Sequence, residues 1–209
     1  MTLRSVFPLI AAAGLLVSGV AAKTPALSID LATNSPIEQR AKDQLERLFK
    51  EHDLSRWSFT KKIRIEERAR PHSHPVLTLN TRYVANDGLA LSGFVHEQIH
   101  WFLAGKPKDF RKALADVNML YPDAPEAIAA GGSGTRQSTL LHLLVCELEL
   151  ESMRALLGGE QGTAVIRDVL ADAQSGGLGY HWIYQTVLND QDKLSALVRQ
   201  HKLALPGVP

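Results

Sequence analysis

The segment from Phe94 to Phe102, FVHEQIHWF, restricts the fold more than any other part of the sequence. Its flanks are uncharged and no proline interrupts it, so the pattern predicts a helix that is buried on most sides. The same segment contains His96, Glu97 and His100. Polar groups in a buried helix are costly unless they have partners. The fold must therefore bring polar or ionic partners to this helix.

The spacing of the two histidines favours a metal ion as that partner. Residues four apart lie one turn apart on the same helix face, so His96 and His100 can each direct a ring nitrogen at one Zn²⁺, at about 2.0–2.1 Å. Glu97 follows the first ligand directly, where a carboxylate can take the proton of a zinc-activated water. The sequence predicts zinc as the cofactor, His96 and His100 as ligands and Glu97 as general base. The alternative is a core helix whose histidines hydrogen-bond to backbone groups.

A third ligand is expected from the segment STLLHLLVCELELESMRALLGG, which is a predicted helix. At 100° per residue, Glu149 falls among apolar residues, where a carboxylate is costly unless a cation meets it. His142 lies on the same face, two turns earlier. We therefore expect Glu149 to be the third ligand, with His142 as the alternative. Glu147 and Glu151 fall on another sector together with Arg154, and this pattern predicts a solvated stripe.

The motif VHEQIHWF and the upstream strand PVLTLNTRYV resemble the zincin metallopeptidases. Leu103 and Lys106 stand where the metzincin extension would have Gly and His, so the chain is similar to the gluzincins, in which a glutamate of a later helix binds zinc. The resemblance implies a zincin-like fold, a sheet edge strand that binds extended substrate, and zinc-dependent hydrolysis of a peptide or protein. Gluzincins commonly have an aspartate four residues after that glutamate, and here the residue is Met153. The alternative function is a catalytically inactive zincin-like domain that binds a cell-envelope partner.

The order of the remaining elements predicts an α+β fold. A helix is expected after Ser35, because Pro36 follows this N-cap and Glu38 stands three residues after it. Two strands are expected in WSFTKKIRIEE and PVLTLNTRYV, separated by RARPHSHP. The rest is mostly helical, over about residues 89–104, 109–120, 138–157, 161–173, 181–189 and 191–202. A small sheet therefore precedes the active-site helix and a helical body.

Three further groups have both a functional and an ordinary interpretation. Tyr180 and Tyr184 lie four residues apart after a glycine-rich turn, and the Tyr180 phenol is the candidate to stabilise an oxyanion, with core packing as the alternative. His72 and His74 lie between prolines, and we expect surface positions for both. The mixed charges of KKIRIEERAR indicate a solvated strand and turn and not a binding patch.

Composition and the N-terminus indicate the compartment. A net charge of +1 excludes a general basic surface for nucleic acid. Residues 1–22 have the anatomy of a signal peptide, so residues 23–209 form the expected single domain, without stable membrane insertion after cleavage. Cys146 is the only cysteine, so an internal disulfide is not expected. We expect a periplasmic or secreted protein.

Overall fold

A small parallel sheet precedes a body of helices, which confirms the α+β, mostly helical class predicted from the sequence. The computed structural model describes residues 27–176 and 179–206, and the predicted signal peptide lies outside the described residues. The described elements, in chain order, are β1 (Ser28–Leu31), α1 (Pro36–Glu51), β2 (Lys62–Ile65), β3 (Leu77–Leu79), α2 (Asp87–Ala104), α3 (Pro107–Leu120), α4 (Arg136–Leu157), α5 (Gly159–Gly176) and α6 (His181–Gln200), with short 3₁₀ turns at Leu54–Trp57 and Ile128–Ala130.

The start of α1 follows the predicted cap. The Ser35 side chain accepts a hydrogen bond from the Glu38 N–H at 3.3 Å. The Glu38 carboxylate is fully buried and accepts from the backbone N–H of Thr33 at 2.8 Å and of Glu67 at 3.2 Å. Glu38 therefore fixes both the chain that leads into α1 and the chain that leaves β2.

The sheet has the order β1-β2-β3, and both pairings are parallel. The strands predicted around β2 and β3 are confirmed, whereas β1 is a third strand that the sequence analysis did not predict. β3 is an edge strand, but the N–H and C=O of Thr78 pair with the backbone of His72 at 2.8 and 3.1 Å. A substrate strand could use these Thr78 groups only by displacing His72.

The predicted helices are confirmed, each within a few residues of its predicted bounds. The two helices expected over 181–189 and 191–202 form one element, α6, with non-helical backbone at Asp190 (φ −111°, ψ 21°). Gly158, at φ 88°, separates α4 from α5, where a left-handed backbone favours glycine. No described helix is long and apolar enough to cross a membrane.

Helices α2 and α4 lie at the centre of one hydrophobic core that includes residues from every helix and from the sheet. The apolar side chains of α4 from Leu143 to Cys146 are fully buried, as are Phe94 and Ile99 of α2. Because both helices are covered on most sides, any polar side chain on their facing surfaces lies within the protein interior. The sheet packs against α2 through β3 and against α1 through β1 and β2.

The expected solvated stripe on α4 is wrong for Glu147. This side chain is 1% exposed, and its Oε2 atom has no hydrogen-bond partner among the described residues. Ser195 of α6 donates to the Glu151 carboxylate. Helix α6 therefore packs over the face of α4 that carries Glu147 and Glu151, which was expected to face solvent. Burial, and then the neighbouring Glu151 charge, raise the pKa of Glu147 to about 8.

We expect Glu147→Gln to stabilise the protein in alkaline solution. The pKa of Glu147 is raised from the usual 4.5 to about 8 in the folded protein. The stability that the neutral acid provides is therefore complete below pH 4.5 and is lost as the pH rises from 4.5 towards 8. Urea unfolding should give similar free energies of unfolding for the native protein and the variant at pH 5. At pH 9 the variant should be more stable by on the order of 3 kcal/mol. The exposed control Glu46→Gln should show no such difference, and a pH-independent effect of Glu147→Gln would contradict the assignment.

Candidate metal centre

The two histidines of the motif lie where α2 faces α4. Asn86 caps α2 by accepting from the Leu89 N–H at 3.0 Å, and the helix continues unbroken through the motif. The ring centroids of His96 and His100 are 5.2 Å apart, as expected for side chains one turn apart on one face. The His96 side chain is only 12% exposed. Helix α2 therefore presents both imidazoles to the interior, in the arrangement that the sequence predicts.

A third imidazole reaches the same place from α4. The His142 ring lies 5.6 Å from that of His96 and 5.1 Å from that of His100. One nitrogen of each ring lies within 4.8 Å of the others. His142 Nδ1 is 2.8 Å from the Ser138 carbonyl oxygen, an acceptor only, so Nδ1 carries the proton and Nε2 keeps its lone pair. The three histidines form a set of nitrogens that could hold one metal ion.

Glu149 contacts His96 from the opposite side of the ring. Its Oε2 lies 2.8 Å from His96 Nδ1 and accepts from the Tyr184 hydroxyl at 2.9 Å, while Ser92 donates to Oε1. The carboxylate is 1% exposed. A carboxylate that binds Nδ1 of a histidine leaves Nε2 for the metal and fixes the ring orientation. Glu149 thus has the position of a group that orients a ligand.

The charges of the cluster suit a cation. Burial, with the neighbouring His96 charge, lowers the pKa of His100 to about 2 and that of His142 to about 3, so both rings are neutral. Burial opposes protonation of His96, but the Glu149 carboxylate outweighs it and raises the pKa of His96 above its usual value. The buried Glu149 carboxylate is thus stabilised by one positive charge on the His96 ring. A metal ion bound to His96 could replace the proton that gives the ring this charge.

The choice between the two predicted third ligands is decided by which nitrogens and oxygens converge. Glu149 groups with His96 and Cys146, on the Nδ1 side of His96, and this set lacks His100. Cys146 is a buried thiol whose pKa is raised by burial, so it is a poor thiolate ligand. His142 groups with both motif histidines. The geometry favours His142, the alternative, as the third ligand.

Glu97 lines an open cleft of about 580 Å³, and His96, Glu149 and Tyr180 also line it. The Glu97 side chain is 7% exposed, and no hydrogen-bond partner for it is found within residues 27–176 and 179–206. Burial raises the pKa of Glu97. A poorly solvated carboxylate with free acceptors beside the histidine cluster can accept a proton from a water molecule and return it.

Tyr180 stands at the start of α6 with its hydroxyl 2.9 Å from His142 Nε2. Its backbone is left-handed (φ 67°), and its N–H donates to the Gly132 carbonyl at 3.3 Å. A side chain at Gly179 would collide with that same carbonyl, so close packing of two glycine-containing loops places the phenol. Burial raises the pKa of Tyr180 to about 12, which keeps the hydroxyl protonated as a donor. The predicted oxyanion donor therefore lies at the cluster.

Sequence reasoning missed two parts of the site. Ser92 and Tyr184 both donate to Glu149. The spacing of Tyr180 and Tyr184 predicts that they are neighbours, but it does not predict the contact between Tyr184 and Glu149. The mixed charges of this region predict a solvated turn, but the segment RARP, residues 68–71, lines the cleft. The signal that could have found this segment was its position directly between the two predicted strands and upstream of the motif helix.

No protein-family model matches the chain, and neither the curated proteins nor the solved structures include a significant match.

The two candidate third ligands make opposite predictions for metal affinity. His142→Ala should weaken zinc binding by several orders of magnitude, because one of three converging nitrogens is lost. Glu149→Gln should weaken it by only about 10–100-fold, because the amide still supports the His96 ring. Titration of zinc against a competing chelator measures both. His52→Ala, which removes a histidine at the end of α1, is the control.

Retention of tight zinc binding in His142→Ala, with loss in Glu149→Gln, would restore Glu149 as the ligand. In that case the His96–Glu149 contact would have to rearrange when the metal binds. Circular dichroism checks that both variants are folded before their zinc affinities are compared, because Glu149→Gln changes a buried group that contacts Ser92, His96 and Tyr184.

Proposed function

We propose that the protein is a zinc-dependent metallopeptidase that hydrolyses peptide bonds. The observation that carries the proposal is the convergence of His96, His100 and His142, with Glu97 free in the adjoining cleft. Three neutral or neutralisable imidazoles suit Zn²⁺ and leave a coordination position open, as catalytic zinc sites require. When bound, zinc polarises a carbonyl group and lowers the pKa of a coordinated water.

Glu97 supplies the proton transfer. Its carboxylate takes a proton from the attacking water, whose oxygen adds to the scissile carbonyl carbon. The C–N bond then breaks, and the same carboxyl returns the proton to the leaving amine nitrogen. One water is consumed, and a carboxylate and an amine are released. The pKa of Glu97, raised by burial, brings the carboxyl closer to the range in which it can both accept and return a proton.

The other residues orient and stabilise. Glu149 holds His96 through Nδ1, and the Ser138 carbonyl holds His142, so the two rings keep fixed tautomers. Metal binding at His142 Nε2 requires the Tyr180 hydroxyl to release that nitrogen. The freed phenol lies beside the scissile position and donates to the oxyanion that develops on the carbonyl oxygen.

The first test separates metal binding from chemistry through Glu97→Gln. The variant should hold about one zinc per chain and cleave peptides about 10²–10⁴-fold more slowly, because the amide cannot accept the proton. Zinc-loaded protein is incubated with a peptide mixture, and new termini are counted by mass spectrometry. Chelation should abolish native cleavage and added zinc should restore it. Equal cleavage by both proteins would remove Glu97 from the mechanism, and absence of native cleavage would favour the inactive, partner-binding alternative.

The second test addresses Tyr180→Phe. Loss of one oxyanion donor should lower kcat by about 10²–10³-fold with little change in KM. Zinc affinity should be equal or higher, because the hydroxyl no longer competes for His142 Nε2. Tyr83→Phe is the matched control, since its hydroxyl donates to Asp172 elsewhere in the cleft. A kcat for Tyr180→Phe equal to that of native protein would assign Tyr180 to packing alone.

A further inference from the structure

Three arginines line the cleft beside the histidine cluster, and two of them have no ionic partner. Arg82 donates to both oxygens of Asp172, at 2.9 and 3.1 Å, so its charge is used within the fold. Arg68 and Arg70 line the same cleft, and neither forms an ion pair with any residue of the described chain. Both side chains are exposed to the cleft and solvent. The cleft therefore holds two unbalanced guanidinium groups.

The carboxylates of the cleft do not balance these charges. Glu149 is engaged with His96, and Asp172 with Arg82. The Glu97 carboxylate is 7% exposed and lies beside the histidine cluster. An anion that enters the cleft would thus find positive charge close to the proposed scissile position.

The backbone that carries both arginines is anchored. Before Arg68, the N–H of Glu67 donates to the buried Glu38 carboxylate. Between the two, the carbonyl of Ala69 accepts from the Asn80 side chain at 3.2 Å. After Arg70, the His72 ring lies 2.9 Å from the Arg70 carbonyl, and the His72 backbone pairs with Thr78. Because the backbone of this segment is already anchored, the segment loses less backbone entropy when its arginines bind a ligand.

We infer that Arg68 and Arg70 form a subsite for a carboxylate group of an acidic peptide, placed beside the histidine cluster. The inference rests on the proposed function and adds the substrate class to it. Guanidinium groups bind carboxylates through two parallel N–H···O bonds, which a single point charge cannot do. The cleft volume of about 580 Å³ is within the range of sites that enclose a small ligand. The carboxylate belongs either to the peptide C-terminus or to an Asp or Glu side chain.

The test compares matched fluorogenic peptides on the zinc-loaded full chain. One pair has a free or an amidated C-terminus, and a second pair has Glu or Gln at one internal position. Native protein should cleave the acidic member of at least one pair with a kcat/KM about tenfold or more above its neutral partner, mainly through KM. The pair that discriminates identifies the source of the carboxylate.

The double variant Arg68→Gln, Arg70→Gln should reduce that ratio to about one. The control Arg56→Gln, Arg111→Gln removes two exposed charges that do not line the cleft and should keep the ratio. Native protein that cleaves acidic and neutral members of both pairs equally would overturn the inference. So would an unchanged ratio in the Arg68, Arg70 variant.

A binding measurement keeps the inference separate from the proposed activity. Zinc-loaded Glu97→Gln protein is titrated calorimetrically with the same peptide pairs. Tighter binding of an acidic member, lost in the additional Arg68→Gln, Arg70→Gln background, supports the subsite even if no native cleavage is found. Equal binding of acidic and neutral peptides overturns it even if native protein hydrolyses both.

Discussion

The contact between His96 and Glu149 is the constraint on which the site depends. A carboxylate that is 1% exposed, between two helices of the core, is costly unless positive charge meets it. Glu149 has that partner in the His96 ring and is further held by Ser92 and Tyr184, from α2 and α6. One carboxylate thus ties three helices together and aims the Nε2 atom of His96 at His100 and His142. The orientation of the His96 ring within the histidine cluster therefore depends on this one group.

Much of the fold could be predicted because its determinants are local. Three short-range signals lie close to the helix ends that the structure has. Ser35 marks the start of α1, Gly158 marks the end of α4, and the apolar run around the motif marks α2. β1 could not be found in this way, since a four-residue strand is stabilised by its pairing with β2, far along the chain. Glu147 was misplaced because helical phase gives the angle between side chains of one helix, but not which sector another helix covers.

The same limit explains the third ligand. Phase correctly put His142 and Glu149 on one face of α4, two turns apart, which is roughly 10 Å along the axis. Which of them meets His100 depends on how far α4 is shifted along α2, and no local pattern encodes that shift. The structure has His142 level with the motif histidines, and Glu149 on the Nδ1 side of His96. The aspartate that gluzincins commonly have at the position of Met153 is not needed to explain how His96 is oriented, because Glu149 binds the His96 ring.

Charge divides the cleft into two parts with different tasks. The two positive charges of a bound zinc would be offset by the buried carboxylate of Glu149 and by Glu97 when it is ionised, so the centre would be close to neutral overall. In the proposed subsite, Arg68 and Arg70 would attract the anionic group. Both lie on the anchored segment and not on α2 and α4, which carry the candidate metal ligands. Because the arginines and the candidate ligands lie on separate elements, a substitution at Arg68 or Arg70 would change the proposed substrate preference without altering the geometry of the histidine cluster.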